Sequence, residues 1–85
     1  MIGRRVAVEP HLYEPGDYGL WEGLWYCLPR VGFLGCLGNG VQHHKVTEHE
    51  DGTITAFPSI LVSDGMNADA QSWHGHLERG VWREC

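Results

Sequence analysis

The longest run of alternating positions in the chain extends from Ile54 to Val62. One side of this run carries only apolar residues, namely Ile54, Ala56, Ile60 and Val62. The other side mixes polar residues with Phe57 and Leu61, so the pattern predicts a strand covered on much of both faces. Pro58 cannot donate a ladder hydrogen bond, and we therefore expect an edge position, a break or a bulge there.

An Asp-Gly dipeptide at 51–52 precedes this strand and is a strong hairpin signal. A two-residue loop would put polar groups on the apolar face of the strand. A three-residue loop over 50–52 sets Val46 opposite Ala56 and places Gly52 where a bulged turn needs positive φ. The sequence favours the three-residue loop.

Other segments read as shorter strands. They are 4–9, 20–28, 73–77 and 81–84, the last two joined by a turn at 78–80. Between them we expect a loop over 11–19 with a turn at 14–17, a Gly-rich loop with extended pieces over 31–41, and a polar connection over 63–72 with one helical turn at 67–70. Together these segments predict a mainly β fold, namely a small antiparallel sheet or sandwich of about five short strands with little or no helix.

The length of 85 residues predicts a single domain. Residues 1–20 are expected to form an N-terminal arm and loop, and 21–85 the β core. A chain this short buries a modest core, and such domains often depend on a metal, on disulfides or on oligomerisation.

Charge and composition exclude several classes of function. Six Lys and Arg against eleven Asp and Glu give a net charge of −5, without a basic run, so nucleic acid is not expected as a partner. A protein partner with a basic surface is easier to accommodate. The absence of a secretory signal and of a long apolar span predicts a soluble protein that does not bind membranes. Three cysteines without disulfide-dense spacing fit a reducing compartment.

Four tryptophans in so short a chain point either to a core or to a binding surface. The core is the commoner outcome. The segment 20–26 nevertheless holds more apolar bulk than one strand usually buries, so part of it is expected to face a partner. The candidate binding residues are Trp21, Trp25, Tyr26, Trp73 and Trp82.

Histidines and cysteines also invite a metal hypothesis. His74 and His76 would lie on one face of a strand, about 6.5–7 Å apart, which suits two imidazoles on one zinc ion. Further ligands could come from residues of the same two types, namely Cys27, Cys36, His43, His44, His49 and Cys85. No Cys-x-x-Cys pair is present, and the alternative is that these residues are half-exposed strand histidines and small core cysteines.

The sequence offers little for catalysis, and we expect no enzyme activity. Cys27 or Cys36 beside a histidine would lack a nucleophile elbow or a helix N-terminus to activate the thiol. The acidic cluster at 48–51 is more often a solvated turn than a pair of catalytic carboxylates. The glycines of 35–40 lack the Lys-Ser/Thr ending of a phosphate-binding loop.

Three segments carry a resemblance to a family of small uncharacterised proteins encoded by bacteriophages and prophages. They are Trp25-Tyr26-Cys27-Leu28-Pro29, the Phe-Pro-Ser-Ile-Leu strand at 57–61, and Trp73-His74-Gly75-His76 with the turn into Gly80-Val81-Trp82. The resemblance covers roughly 24–84. It implies a phage origin and a β-rich fold, but no activity.

Several members of that group carry Cys-x-x-Cys and Cys-His pairs that look like zinc ligands. This chain departs from them, since Cys27 has no partner three residues on and Trp73 stands where a cysteine would precede His74. The positions that the resemblance leaves for a zinc site are Cys27, Cys36, His44 and His74.

The sequence thus predicts a non-enzymatic phage-type protein that acts by binding another protein. It would be an inhibitor of a host or defence protein, or a virion accessory subunit, and would need no cofactor. The alternative is a small zinc-binding domain with Cys and His ligands. The expected partners are a host protein, a phage protein or a second copy in a homo-oligomer, and the expected location is the host cytoplasm or the virion.

Overall fold

A computed structural model describes residues 1–63 and 72–85 and shows two four-stranded sheets. The first sheet consists of β1 (Arg4–Arg5), β2 (Asp17–Trp21), β3 (Leu24–Cys27) and β4 (Gly35–Gly38), in that order. The second consists of β5 (Lys45–Glu48), β6 (Ile54–Ser63), β7 (Ser72–Glu78) and β8 (Val81–Glu84). Strands β1 and β2 are parallel, and all other neighbours are antiparallel.

The predicted mainly β fold is confirmed. A 3-10 turn at Pro10–Leu12 is the only helical element in the described part of the chain, where no helix is long and apolar enough to cross a membrane. The helical turn predicted at 67–70 lies outside the described residues.

The described residues form eight strands rather than about five. Strand β4 lies inside the predicted Gly-rich loop 31–41, β5 precedes the central turn, and the third additional strand arises because one apolar run conceals a turn. The segment 20–28, predicted as a single strand, is a hairpin in which β2 and β3 meet at Trp21 opposite Leu24. Glu22 and Gly23 form the two-residue turn with φ of 49° and 84°. Two successive positive φ values suit the twist of a tight hairpin, and glycine at the second position makes this possible.

The N-terminal residues belong to the sheets, although the sequence predicted an arm and a loop. Strand β1 is shorter than the predicted 4–9, and β2 begins at Asp17, inside the predicted loop. The Asp17 carboxylate is buried, and it accepts hydrogen bonds from Arg4 Nε at 3.2 Å and from the Glu14 amide at 2.8 Å. These bonds fix the turn that leads into β2.

Backbone hydrogen bonds also join the two sheets at both edges. On one side, the amides of Trp82 and Gly3 donate to the carbonyls of Met1 and Gly80, each at 2.7 Å, so that residues 1–3 extend the second sheet before β1 joins the first. On the other side, the Val46 amide donates to the Gly40 carbonyl at 2.9 Å. The hydrogen bonding therefore continues from one sheet to the other.

The predicted register of the central hairpin is confirmed. Val46 lies opposite Ala56, and the His49 amide donates to the Thr53 carbonyl at 2.8 Å, which closes a three-residue loop. Gly52 has a φ of 87°, as the bulged turn requires.

Of the edge position, break or bulge expected at Pro58, the structure shows an irregularity, in a strand that is paired on both sides. The register against β7 shifts between Ala56 and Ile60, yet the four apolar residues of the inner side all remain buried. The prediction that the outer side is covered as well is wrong. Phe57 is 71% exposed and Leu61 is 67% exposed, so most of the surface of both side chains is uncovered.

The core lies between the sheets and combines residues from both. Its aromatic members include Tyr18 and Trp25 from the first sheet and Trp73 and Trp82 from the second. The rings of Trp73 and Trp82 meet edge to face, with centroids 5.4 Å apart and planes at 87°. Edge-to-face contact is a favoured geometry for aromatic pairs and adds to the energy of burial.

Gly75 makes room for this pair. It follows Trp73 by two positions and so faces the same side of β7. A Cβ added there would lie 2.5 Å from the Trp73 ring and 2.4 Å from the Arg83 carbonyl oxygen. A side chain at position 75 would therefore displace both the indole and the backbone of β8.

We expect Gly75→Ala to lower the free energy of unfolding by about 3 kcal/mol, the upper range for an overpacked core. Gly52→Ala is the matched control, because its Cβ meets nothing within 4 Å and only the positive φ is strained; it should cost about 1 kcal/mol. Urea unfolding followed by tryptophan fluorescence measures both values. Equal losses in the two variants would contradict the steric role of Gly75.

Candidate functional site

The five predicted binding aromatics do not form one exposed patch. Trp25, Trp73 and Trp82 are 5%, 4% and 3% exposed and belong to the core, whereas Trp21 and Tyr26 are half-buried. Three of the rings therefore belong to the core, which is the commoner of the two outcomes considered for the tryptophans.

The four predicted zinc ligands fall into two separate pairs. Cys27 and Cys36 lie on adjacent strands, but Cys36 is opposite Tyr26 rather than Cys27. Side chains alternate along a strand, so the two thiols are on opposite faces: Cys27 is buried and Cys36 is exposed. His44 and His74 instead meet at Ser59, in the other sheet.

These residues therefore do not fit one zinc ion in this arrangement. Among the described residues, no three His, Cys, Asp or Glu side chains are grouped so that they could hold a metal. His76, the second histidine of the predicted pair, is half-buried and lies opposite Arg83.

Cys27 is chemically inert where it lies. Its exposure is 0%, and burial among apolar groups, followed by the neighbouring Cys36, raises the pKa of its thiol to about 12. A thiol that stays protonated near neutral pH is a poor nucleophile and a poor metal ligand. Cys27 is thus a small core residue.

The acidic turn before β6 is a polar surface. Glu48, His49, Glu50, Asp51 and Arg79 line an open depression of about 520 Å³. The Asp51 carboxylate accepts hydrogen bonds from the amide and the hydroxyl of Thr53, which lower its pKa. Asp51 thereby stabilises its own turn, which is the structural role that the sequence favoured for this cluster.

The clearest candidate site is the outer face of β6, which the sequence pattern alone did not identify as a site. We call Phe57, Ser59 and Leu61 the β6 patch. Its two large side chains are mostly exposed, and Ser59 lies between them. The alternation along β6 contained a signal for this face, because it placed these residues on the side of the strand that points away from the four core positions. The pattern could not show whether a second layer covers them.

Two histidines fix the centre of the β6 patch. His44 Nε2 lies 3.2 Å from the Ser59 carbonyl oxygen, so this nitrogen carries the proton and donates. His74 Nε2 lies 2.9 Å from Ser59 Oγ. In the adjacent strands, Lys45 is opposite Phe57 and His74 is opposite Leu61. An apolar pair is thus bordered by basic and imidazole groups.

Comparisons with protein-family models, with curated proteins and with solved structures gave no match. The assignment of a function therefore depends on the geometry described above.

Burial of Cys27 predicts selective thiol labelling. At pH 8, a thiol reagent such as dithionitrobenzoate should react readily with Cys36 and Cys85, which are exposed, and with Cys27 only after unfolding. Released thionitrobenzoate gives the count in the native and the urea-unfolded protein. In a Cys36→Ser/Cys85→Ser variant, rapid native labelling would contradict the burial of Cys27.

The same thiol predicts a loss of stability in alkali. In the unfolded chain Cys27 titrates near 9.0, and in the folded protein near 12. Between these values the folded state holds a proton that the unfolded state has lost, so the free energy of unfolding falls as pH rises, by up to about 1.4 kcal/mol per pH unit. Burial raises the pKa of Tyr13 and Tyr18 in the same direction.

Urea unfolding at pH 8, 9 and 10 measures this slope. Cys27→Ala removes the thiol and leaves both tyrosines, so its slope should be smaller than that of the wild type. An unchanged slope in this variant would assign the whole effect to the tyrosines.

Proposed function

We propose that this protein is not an enzyme and acts by binding another protein through the β6 patch. The observation that carries the proposal is the exposure of Phe57 and Leu61 on one face of the second sheet. Burying a Phe or Leu side chain is worth about 1.5–3 kcal/mol, which makes such side chains suitable anchors for a partner. Scattered exposed apolar residues are normal, but two on the same face beside an ordered polar centre resemble the core and rim of an interface.

The surroundings of the β6 patch indicate the chemistry of the partner. Lys45 is exposed and has no ion-pair partner among the described residues, and His44 and His74 border the patch. The whole chain is acidic, but this face offers a cation and two imidazoles. We therefore expect the partner to present an apolar surface with an acidic rim.

The biological role belongs to the same proposal. An inhibitor of a host or defence protein, or a virion accessory subunit, would work by occupying a surface of its target, and neither needs a catalytic group. Support for a phage origin comes from the sequence resemblance over roughly 24–84. Both roles place the protein in the host cytoplasm or the virion.

Phe57→Ser/Leu61→Ser tests the β6 patch. The substituted side chains are exposed, so the fold should persist with a nearly unchanged melting temperature. Proteins that the immobilised wild type captures from a bacterial lysate should not be captured by the double variant. The separate variant Phe57→Tyr, which keeps the ring, should capture them as the wild type does. Lys45→Glu should weaken the same capture by about tenfold, because it reverses the charge at the rim.

Val31→Ser is the matched control, because Val31 is 72% exposed and lies in the loop between β3 and β4. It should capture as well as the wild type. Equal capture by the wild type and the double variant would overturn the proposal. Sedimentation of the wild type alone distinguishes a second copy as the partner, since a dimer that the double variant abolishes would assign the β6 patch to self-association.

The zinc-binding alternative stays a prediction from the sequence, and the two separate ligand pairs lend it no support. Elemental analysis of the purified protein, with melting curves in the presence and absence of a chelator, tests it directly. Stoichiometric zinc together with a lower melting temperature in chelator would favour that alternative over the protein-binding role.

A further inference from the structure

A second cleft lies on another part of the molecule, where the chain start, the β3–β4 loop and the β7–β8 hairpin meet. It measures about 260 Å³ and is lined by Met1, Pro29, Arg30, Trp73, Trp82 and Glu84. None of these residues belongs to the β6 patch. The volume suits a ligand of amino-acid size rather than a drug-sized molecule.

The floor of the cleft is apolar and rigid. The edge-to-face indoles of Trp73 and Trp82 line it together with the ring of Pro29. Because Trp73 and Trp82 are only 4% and 3% exposed, a small part of each ring faces the cleft. The indole Nε1–H of Trp82 donates to the Gly16 carbonyl at 2.9 Å, and the Trp73 ring lies against Gly75. Neither indole can turn without breaking core contacts, so the surface offered to a ligand is preorganised.

Two side chains of opposite charge stand at the rim, and Met1, which also lines the cleft, carries an ammonium that donates to the Trp82 carbonyl at 3.0 Å. Arg30 and Glu84 are both exposed and both line the cleft, but they form no salt bridge with each other. The Arg30 guanidinium lies over the Phe33 ring, 5.9 Å from its centroid, and this cation–π contact orders its side chain. The cleft thus presents separate sites for an anion and a cation above an aromatic floor.

We propose that this cleft binds a small zwitterion with an apolar side chain, of the class of free hydrophobic α-amino acids. The ligand carboxylate is held by the Arg30 guanidinium, which suits planar carboxylates, and the ligand ammonium by the Glu84 carboxylate. The ligand side chain lies against the indoles of Trp73 and Trp82. This site is independent of the β6 patch, so either can fail without the other.

Titration with L-phenylalanine tests the site, read from the indole N–H signals of Trp73 and Trp82 by NMR. We expect saturable shifts with a Kd in the millimolar range or below. Phenethylamine, which lacks the carboxylate, and 3-phenylpropanoate, which lacks the ammonium, should each bind about tenfold more weakly, since each loses one charged hydrogen bond. Glycine, which lacks the apolar side chain, should cause no saturable shift.

Two variants assign the charges. Arg30→Gln should weaken L-phenylalanine binding by about tenfold and leave phenethylamine unaffected, whereas Glu84→Gln should weaken L-phenylalanine and leave 3-phenylpropanoate unaffected. Both residues are exposed, so the variants should keep the wild-type melting temperature. Arg79→Gln is the control and should bind as the wild type does, because Arg79 is exposed and does not line the cleft.

Three results would overturn the inference. They are the absence of a saturable shift with L-phenylalanine up to about 20 mM, equal affinity for L-phenylalanine and its singly charged analogues, and equal effects of Arg30→Gln and Arg79→Gln. None of them bears on capture of a protein by the β6 patch.

Discussion

The perpendicular contact between Trp73 and Trp82 is the interaction on which the rest of the structure depends. It fills the space between the two sheets, and it needs a glycine at position 75 to exist. Through its indole N–H, Trp82 also holds the Gly16 carbonyl, in the turn that starts β2. One aromatic pair thereby ties the second sheet to the first, and it leaves part of its surface at the floor of a cleft.

The sequence predicted much of this scaffold because local rules govern it. The Asp-Gly turn, the register of Val46 with Ala56 and the irregularity at Pro58 all follow from backbone chemistry within a few residues. Alternation along β6 also identified its buried side. The hairpin inside 20–28 was harder to predict, because the Glu22-Gly23 turn is flanked by apolar residues before and after it. Pairing between residues 1–3 and β8 was beyond local rules, since it joins distant parts of the chain.

The sites were predicted less well, for a different physical reason. Residue type could suggest that Cys27, Cys36, His44 and His74 belong together, but strand parity decides where side chains point. A one-residue offset puts Cys36 opposite Tyr26 and sends the two thiols to opposite faces. Likewise, alternation assigned Phe57 to the outer face of β6, but whether that face is covered depends on tertiary packing. The spacing of Trp73 and Gly75 was a usable signal for the packing of the indole, because both residues lie on one face of β7 and the glycine leaves room for the ring.

The bridging segment at 1–3 has a further consequence, for aggregation. A sheet edge with unpaired amides and carbonyls is a template on which another chain can add a strand. Residues 1–3 occupy that position beside Gly80, Val81 and Trp82, which covers the first half of β8, and Gly40 occupies part of it along β5. Val81 of β8 and its neighbour Ile2 are exposed apolar residues beside this edge. Residues 1–3 therefore protect this edge by pairing with it, and their release would expose an apolar strand edge to other copies of the chain.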